Sequence, residues 1–87
     1  NPKNTYGQLI LALGGKKSGQ YEKAIERFLI IIQLEPNNME AMVNLAECYE
    51  LTNQKEKAIE WYTQVREKVN IPAAKDAVTK RIQELKK

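Results

Sequence analysis

The sequence predicts an all-α chain of about five helices, paired as antiparallel helix-turn-helix repeats. Two observations carry this expectation. The pentapeptide EKAIE occupies residues 22–26 and returns at residues 56–60, 34 positions later. When residues 5–38 are laid over residues 39–72, Leu11 meets Leu45, Ala12 meets Ala46, Gln20 meets Gln54, Phe28 meets Tyr62 and Ile31 meets Val65. Agreement at a fixed period marks one supersecondary unit stacked on itself. The second observation is chemical. Gly19 and Asn53 fall at the same register. Both residue types tolerate the left-handed backbone that closes a helix, and glycine does so best.

The elements follow in order. A first helix is expected near residues 4–17. Gly15 stands where the second copy has Tyr49, so this helix is expected to end early or fray. A second helix, near 20–34, carries the apolar stripe Tyr21, Ala24, Ile25, Phe28, Ile31 and Ile32. Pro36 ends it by pushing Glu35 out of helical angles. A third helix, near 38–52, has Asn37 as its expected cap and Glu40 as the reciprocal partner. Its apolar residues Met42, Val43, Leu45, Ala46 and Tyr49 recur at helical spacing, and it stops at Thr52-Asn53. A fourth, near 54–69, buries Ala58, Ile59, Tyr62 and Val65. A fifth, near 73–86, starts at Pro72, which suits a first helical turn. Ala74, Val78, Ile82 and Leu85 line one face of it, while Lys75, Asp76, Lys80, Glu84 and Lys87 stay wet. Such a helix covers Tyr62 and Val65, which a terminal hairpin would leave in water.

Packing logic accompanies the pattern. Ala12 and Ala24, like Ala46 and Ala58, are small enough for two helices to approach closely, and Phe28 and Tyr62 fill the space beside them. EKAIE then begins the second helix of each pair. Its Ala and Ile face the core, and its Glu and Lys face solvent, where they can pair at i,i+4.

Composition removes several function classes. There is no histidine and one cysteine, Cys48. An intrachain disulfide is therefore impossible, a Cys/His metal site lacks ligands, and a Cys-His nucleophile pair cannot form. Cys48 reads as a small core hydrophobe. Gly14-Gly15 is followed by Lys16-Lys17, without the spacing of a phosphate-binding loop. The chain is not expected to be an enzyme or to carry a cofactor. A net charge of +3 is mild and spread along the sequence. The longest apolar run, residues 28–32, is far too short to cross a membrane. A soluble chain is expected, cytoplasmic or periplasmic. It shows no signal peptide and does not begin with Met, and it reads as an excised or processed piece.

The helix pairs resemble tetratricopeptide repeats, whose pattern of 34 residues runs W-x2-L-G-x2-Y, then A-x3-F, then P. The first copy supplies Leu11, Ala12, Ala24, Phe28 and Pro36, and the second supplies Leu45, Ala46, Tyr49, Ala58 and Tyr62. The tryptophan position holds Gln8 and Met42, the first tyrosine position holds Gly15, and the second proline arrives late, at Pro72. The resemblance implies an α-solenoid in one domain: a repeat over 5–38, a repeat over 39–72 and a capping helix over 73–87.

By the same resemblance the chain is a protein–protein interaction scaffold. It would hold a peptide or a partner-protein segment in a concave groove lined by the first helix of each pair. The candidate groove residues are Tyr6, Leu9, Ile10, Leu13, Lys17, Glu40, Val43, Asn44, Glu47 and Leu51, to which the cap adds Ala77, Val78 and Arg81. One wall is apolar and the next acidic and polar, which suits an apolar helix or an extended segment with basic flanks. The alternative for Leu9, Ile10 and Leu13 is packing on a preceding hairpin. A two-carboxylate clamp, as in chaperone-binding members, would require Lys, Asn, Asn, Lys and Arg at Leu9, Leu13, Asn44, Ala74 and Val78. Only Asn44 fits, so no clamp is expected. Lys80-Arg81 and Lys86-Lys87 motivate nucleic-acid binding as another reading, and a regulatory lobe of an enzyme is a third. On the convex side, Leu29 and Ile30 form an apolar patch that Trp61 could extend. Their counterparts Thr63 and Gln64 are polar, so the patch is expected to self-associate or to dock on another part of the parent protein.

Overall fold

The computed structural model describes residues 5–87. It consists there of five helices, α1 Thr5–Lys17, α2 Tyr21–Leu34, α3 Met39–Leu51, α4 Lys55–Lys68 and α5 Pro72–Leu85, with no strand among the described residues. Position 4, the expected start of the first helix, lies outside them. Each helix packs on its sequence neighbours, and α1 also touches α3. The result is a slab of 39 × 27 × 17 Å.

The two turns inside the helix pairs are built alike. Gly19 (φ +87°) and Asn53 (φ 62°) are the left-handed residues of the described chain. Beyond each, the next N–H reaches back over the last turn. Gln20 donates to the Gly15 carbonyl at 2.8 Å, and Gln54 donates to the Tyr49 carbonyl at 2.8 Å. This long return bond satisfies a helix-end carbonyl that would otherwise be orphaned, and it needs positive φ at the residue before it.

Three local expectations are corrected. The first helix does not fray at Gly15 but continues to Lys17. A Cβ built at Gly15 would lie 3.6 Å from the Ala24 Cβ, an ordinary packing distance, so α1 is held helical there by its packing on α2 rather than by any need for glycine. Second, the cap of α3 is Asn38, whose Oδ1 accepts from the Ala41 N–H at 3.0 Å. Asn37 instead accepts a hydrogen bond from Lys68 at 2.8 Å. Third, neither EKAIE copy forms an internal ion pair; the pairs of the described residues are Lys16–Glu47 and Arg81–Glu50. Lys57 lies over the Tyr49 ring, 5.5 Å from its centroid, a cation–π contact between α4 and α3.

The core follows the expected stripes. Ala12, Ala24, Ala46 and Ala58 are all fully buried, as is Phe28, with Tyr62 nearly so. Ile82 of α5 is buried, with Val78 and Leu85 packed beside it, and under this cap Tyr62 and Val65 are shielded from water. The Tyr62 hydroxyl donates to Glu50 at 2.9 Å. Burial, and then this bond to a carboxylate, push the phenol well above its ordinary pKa. One aligned pair diverges. Leu45 is 0% exposed, while Leu11 is 55% exposed. The reason is position in the stack. α3 is flanked by α2 and α4, whereas α1 has α2 on one side and no helix of the described chain on the other.

Candidate interaction surface

Along one side of the slab, polar side chains bridge α1 to α3 and α3 to α5. The Lys16 ammonium of α1 donates to Asn44 of α3 at 2.8 Å and also ion-pairs with Glu47. Arg81 of α5 ion-pairs with Glu50 of α3 at 3.4 Å. Lys16, Glu47, Glu50, Arg81 and the exposed Leu51 enclose a cleft of about 310 Å³. Asn44 is held in place from both ends, since its amide also donates to the Glu40 carbonyl at 2.8 Å. Lys16 and Glu47 are partly screened from solvent, which strengthens their attraction relative to a fully exposed pair.

The expected groove residues divide. Asn44, Glu47, Leu51 and Arg81 come together around this cleft, with Asn44 reached through Lys16. Leu9 and Leu13 are partly buried against the core, and so is Val78. Val43 is partly buried, and Tyr6, Lys17, Glu40 and Ala77 are exposed. Ile10 is not brought to the cleft. It lines a separate hollow with Leu11, Gly14, Lys23 and Arg27 on the free flank of α1. Of the convex patch, Leu29 and Ile30 are exposed, while Trp61 is partly buried against the core.

Two residues at the cleft escaped the sequence reading, Lys16 and Glu50. A signal for Lys16 was present. It lies seven residues after Leu9, about two helical turns, and so shares that face of α1. For Glu50 no local signal exists, because both its partners, Tyr62 and Arg81, come from other helices.

Among the described residues no helix is long and apolar enough to cross a membrane. Cys48 of α3 is fully buried, and that burial raises its thiol pKa, which disfavours the reactive thiolate.

The family model described as regulator of microtubule dynamics protein 1-3 matches residues 8–87. The chain belongs to this family. The match takes in α2 to α5 entirely and every cleft residue named above. No curated protein matches the chain. Among solved structures, the fold is similar to the solution NMR structure of a tetratricopeptide repeat domain protein from Salinibacter ruber. The TM-score is 0.83 at 17% identity, covering 98% of this chain and 89% of that one. This member of the microtubule-dynamics regulator family thus has a tetratricopeptide-like, all-helical repeat fold.

Proposed function

We propose that this chain is a protein-interaction scaffold that holds a segment of a partner protein along α1, α3 and α5, and that the partner belongs to the machinery governing microtubule dynamics. The division into a repeat over 5–38, a repeat over 39–72 and a cap over 73–87 is part of this proposal. The observation that carries it is the cleft beside Leu51. Its two cations, Lys16 and Arg81, are already paired with Glu47 and Glu50. A ligand carboxylate would have to displace a carboxylate to bind there. An apolar segment with a basic flank has an easier entry, because its cation can share Glu47 or Glu50 without leaving any charge unpaired. The family's name supports the choice of partner system.

Co-sedimentation with polymerised tubulin and its associated proteins tests the partner. Glu47→Lys and Glu50→Lys should reduce the bound fraction several-fold, while Glu60→Lys on the exposed side of α4 leaves it unchanged. Equal binding by all three variants would place the contact elsewhere on the chain. Peptides with a C-terminal Asp should bind no better as free acids than as amides in titration calorimetry. A clear preference for the free acid would overturn the reading of Leu9, Leu13, Ala74 and Val78 as positions without a clamp.

A further inference from the structure

The free flank of α1 and α2 carries a second surface, remote from the cleft. One hollow of about 360 Å³ is lined by Ile10, Leu11, Gly14, Lys23 and Arg27, among others. A neighbouring one of about 390 Å³ is lined by Lys23, Glu26, Arg27 and Ile30. Because they share Lys23 and Arg27, they form one continuous face. Leu11, Ile30 and Leu34 are all exposed. Leu34 lies one turn beyond Ile30 on α2 and extends the apolar strip. Leu29, by contrast, sits about 100° around the helix from Ile30 and lies outside both hollows.

The second helix pair shows how such a surface is covered. Leu45 and Cys48 hold the register of Leu11 and Gly14, and both are fully buried with α2 lying against α3. A helix is therefore the shape that fits over Leu11 and Gly14. We infer that the occupant is a second copy of this chain, related by a two-fold axis, whose α2 lies over α1. Ile30 and Leu34 of each copy then fill the hollow above Gly14 of the other. A Cβ built at Gly14 meets nothing within 4 Å, so there is room for an incoming side chain.

Charge supports a copy over an unrelated helix. Glu26 lines the same hollow as Lys23 and Arg27, and none of the three belongs to an ion pair of the described chain, although Arg27 also donates to Gln8 at 3.1 Å. Under a two-fold axis, Glu26 of one copy faces the cations of the other, and the reverse holds at the symmetric site. Head-to-tail stacking is the competing arrangement. It would place α5 on α1, and the outer face of α5 presents Lys75, Asp76, Lys80 and Glu84, all exposed. That surface gives Leu11 and Ile30 only the small side chains of Ala73 and Ala77 to meet among those charges.

Light scattering after size-exclusion chromatography, over a concentration series reaching the solubility limit, reads the outcome. The mass should rise from the 10.0 kDa of one chain toward twice that value. Gly14→Leu should hold the chain at monomer mass with its helical circular dichroism intact, because the new side chain occupies the hollow without touching the chain's own core. Ile30→Gln should do the same, and Leu29→Thr should not. Glu26→Lys alone and the Lys23→Glu, Arg27→Glu double variant alone should each be monomeric, while their mixture should recover dimer mass. Monomer mass for the unmodified chain at every concentration overturns the proposal. So does a dimer indifferent to Gly14→Leu and Ile30→Gln, or a mass that grows beyond two copies.

Discussion

The two helix pairs are near copies in local structure and opposites in exposure. α1–α2 and α3–α4 share a 34-residue register, the same small alanines and the same return bond behind a left-handed residue. Yet Leu45 is sealed while Leu11 stands in water, and Cys48 is buried where Gly14 is open. Sequence within a repeat decides how its two helices close on each other. What lies on the next layer decides whether the repeat's outer face is core or surface. In a stacked array, stability is accordingly a sum of terms within pairs and terms between neighbouring pairs.

Leu45→Ala and Leu11→Ala offer the sharpest break in this contrast. The first should cost about 2–5 kcal/mol, because the cavity opens where α3 is flanked by helices on both sides. The second should stay within about 0.5 kcal/mol in dilute solution, where the chain is monomeric. Urea midpoints at constant slope measure both, and similar losses would mean that the free flank is covered in solution. Ala58→Leu comes next. It forces bulk into the tight α3–α4 approach and should cost about 1–3 kcal/mol, against roughly zero for Ala73→Leu, which is exposed at the start of α5. Equal midpoints for these two would show that the helix register is wrong.

The turns are where the two pairs should agree. Both replacements should destabilise: Gly19→Ala by about 1–2 kcal/mol, since it places a Cβ at positive φ, and Asn53→Ala by less, since Asn53 already carries that Cβ. A loss at Gly19 no larger than that at Asn53 would show that the first turn relaxes. The smallest effect separates the two large aromatics. Tyr62→Phe should cost about 0.5–1.5 kcal/mol near neutral pH by removing the bond to Glu50. It should also change the alkaline limb. The folded phenol is held above its ordinary pKa, so it stays protonated while the unfolded chain ionises near about pH 10. Tyr62 therefore stabilises the fold fully below that point, and its contribution falls as pH rises through it. In the Phe variant this decline should be shallower, with a remainder from Tyr49, whose pKa burial also raises. Thermal melts from pH 8 to 11 would show it.

Much of this architecture was legible in the sequence because its signals are local. Pro36, Gly19 and Asn53 act within a turn of where they stand, and the stripe of Ala24, Ile25, Phe28 and Ile31 is visible as spacing alone. Adjacent residues of one type defeated the same logic. Asn37 and Asn38 are both good caps, and only the path of the chain decides that Asn38 bonds Ala41 while Asn37 meets Lys68. Gly15 was misleading for a related reason. Its low helix propensity is outweighed by the packing of α1 along α2, which no local signal reveals. At the cleft, Asn44, Glu47, Leu51 and Arg81 were found through the resemblance. Lys16 and Glu50 were not: Lys16 shares the face of Leu9 but its partners Asn44 and Glu47 lie on α3, and Glu50 is defined by Tyr62 and Arg81 on two other helices.

The burial of Cys48 has a practical corollary. It is the chain's one cysteine, it sits in the central helix with no exposed surface, and its environment disfavours the thiolate. A thiol-specific reagent can reach it only when α3 parts from its neighbours. Its labelling rate under native conditions then becomes a clock for that opening. When closing is fast relative to labelling, the rate reports the free energy of the opening directly. Labelling that tracks global unfolding would mean that the two pairs come apart only with the whole fold. Faster labelling would mean that they separate while each remains helical.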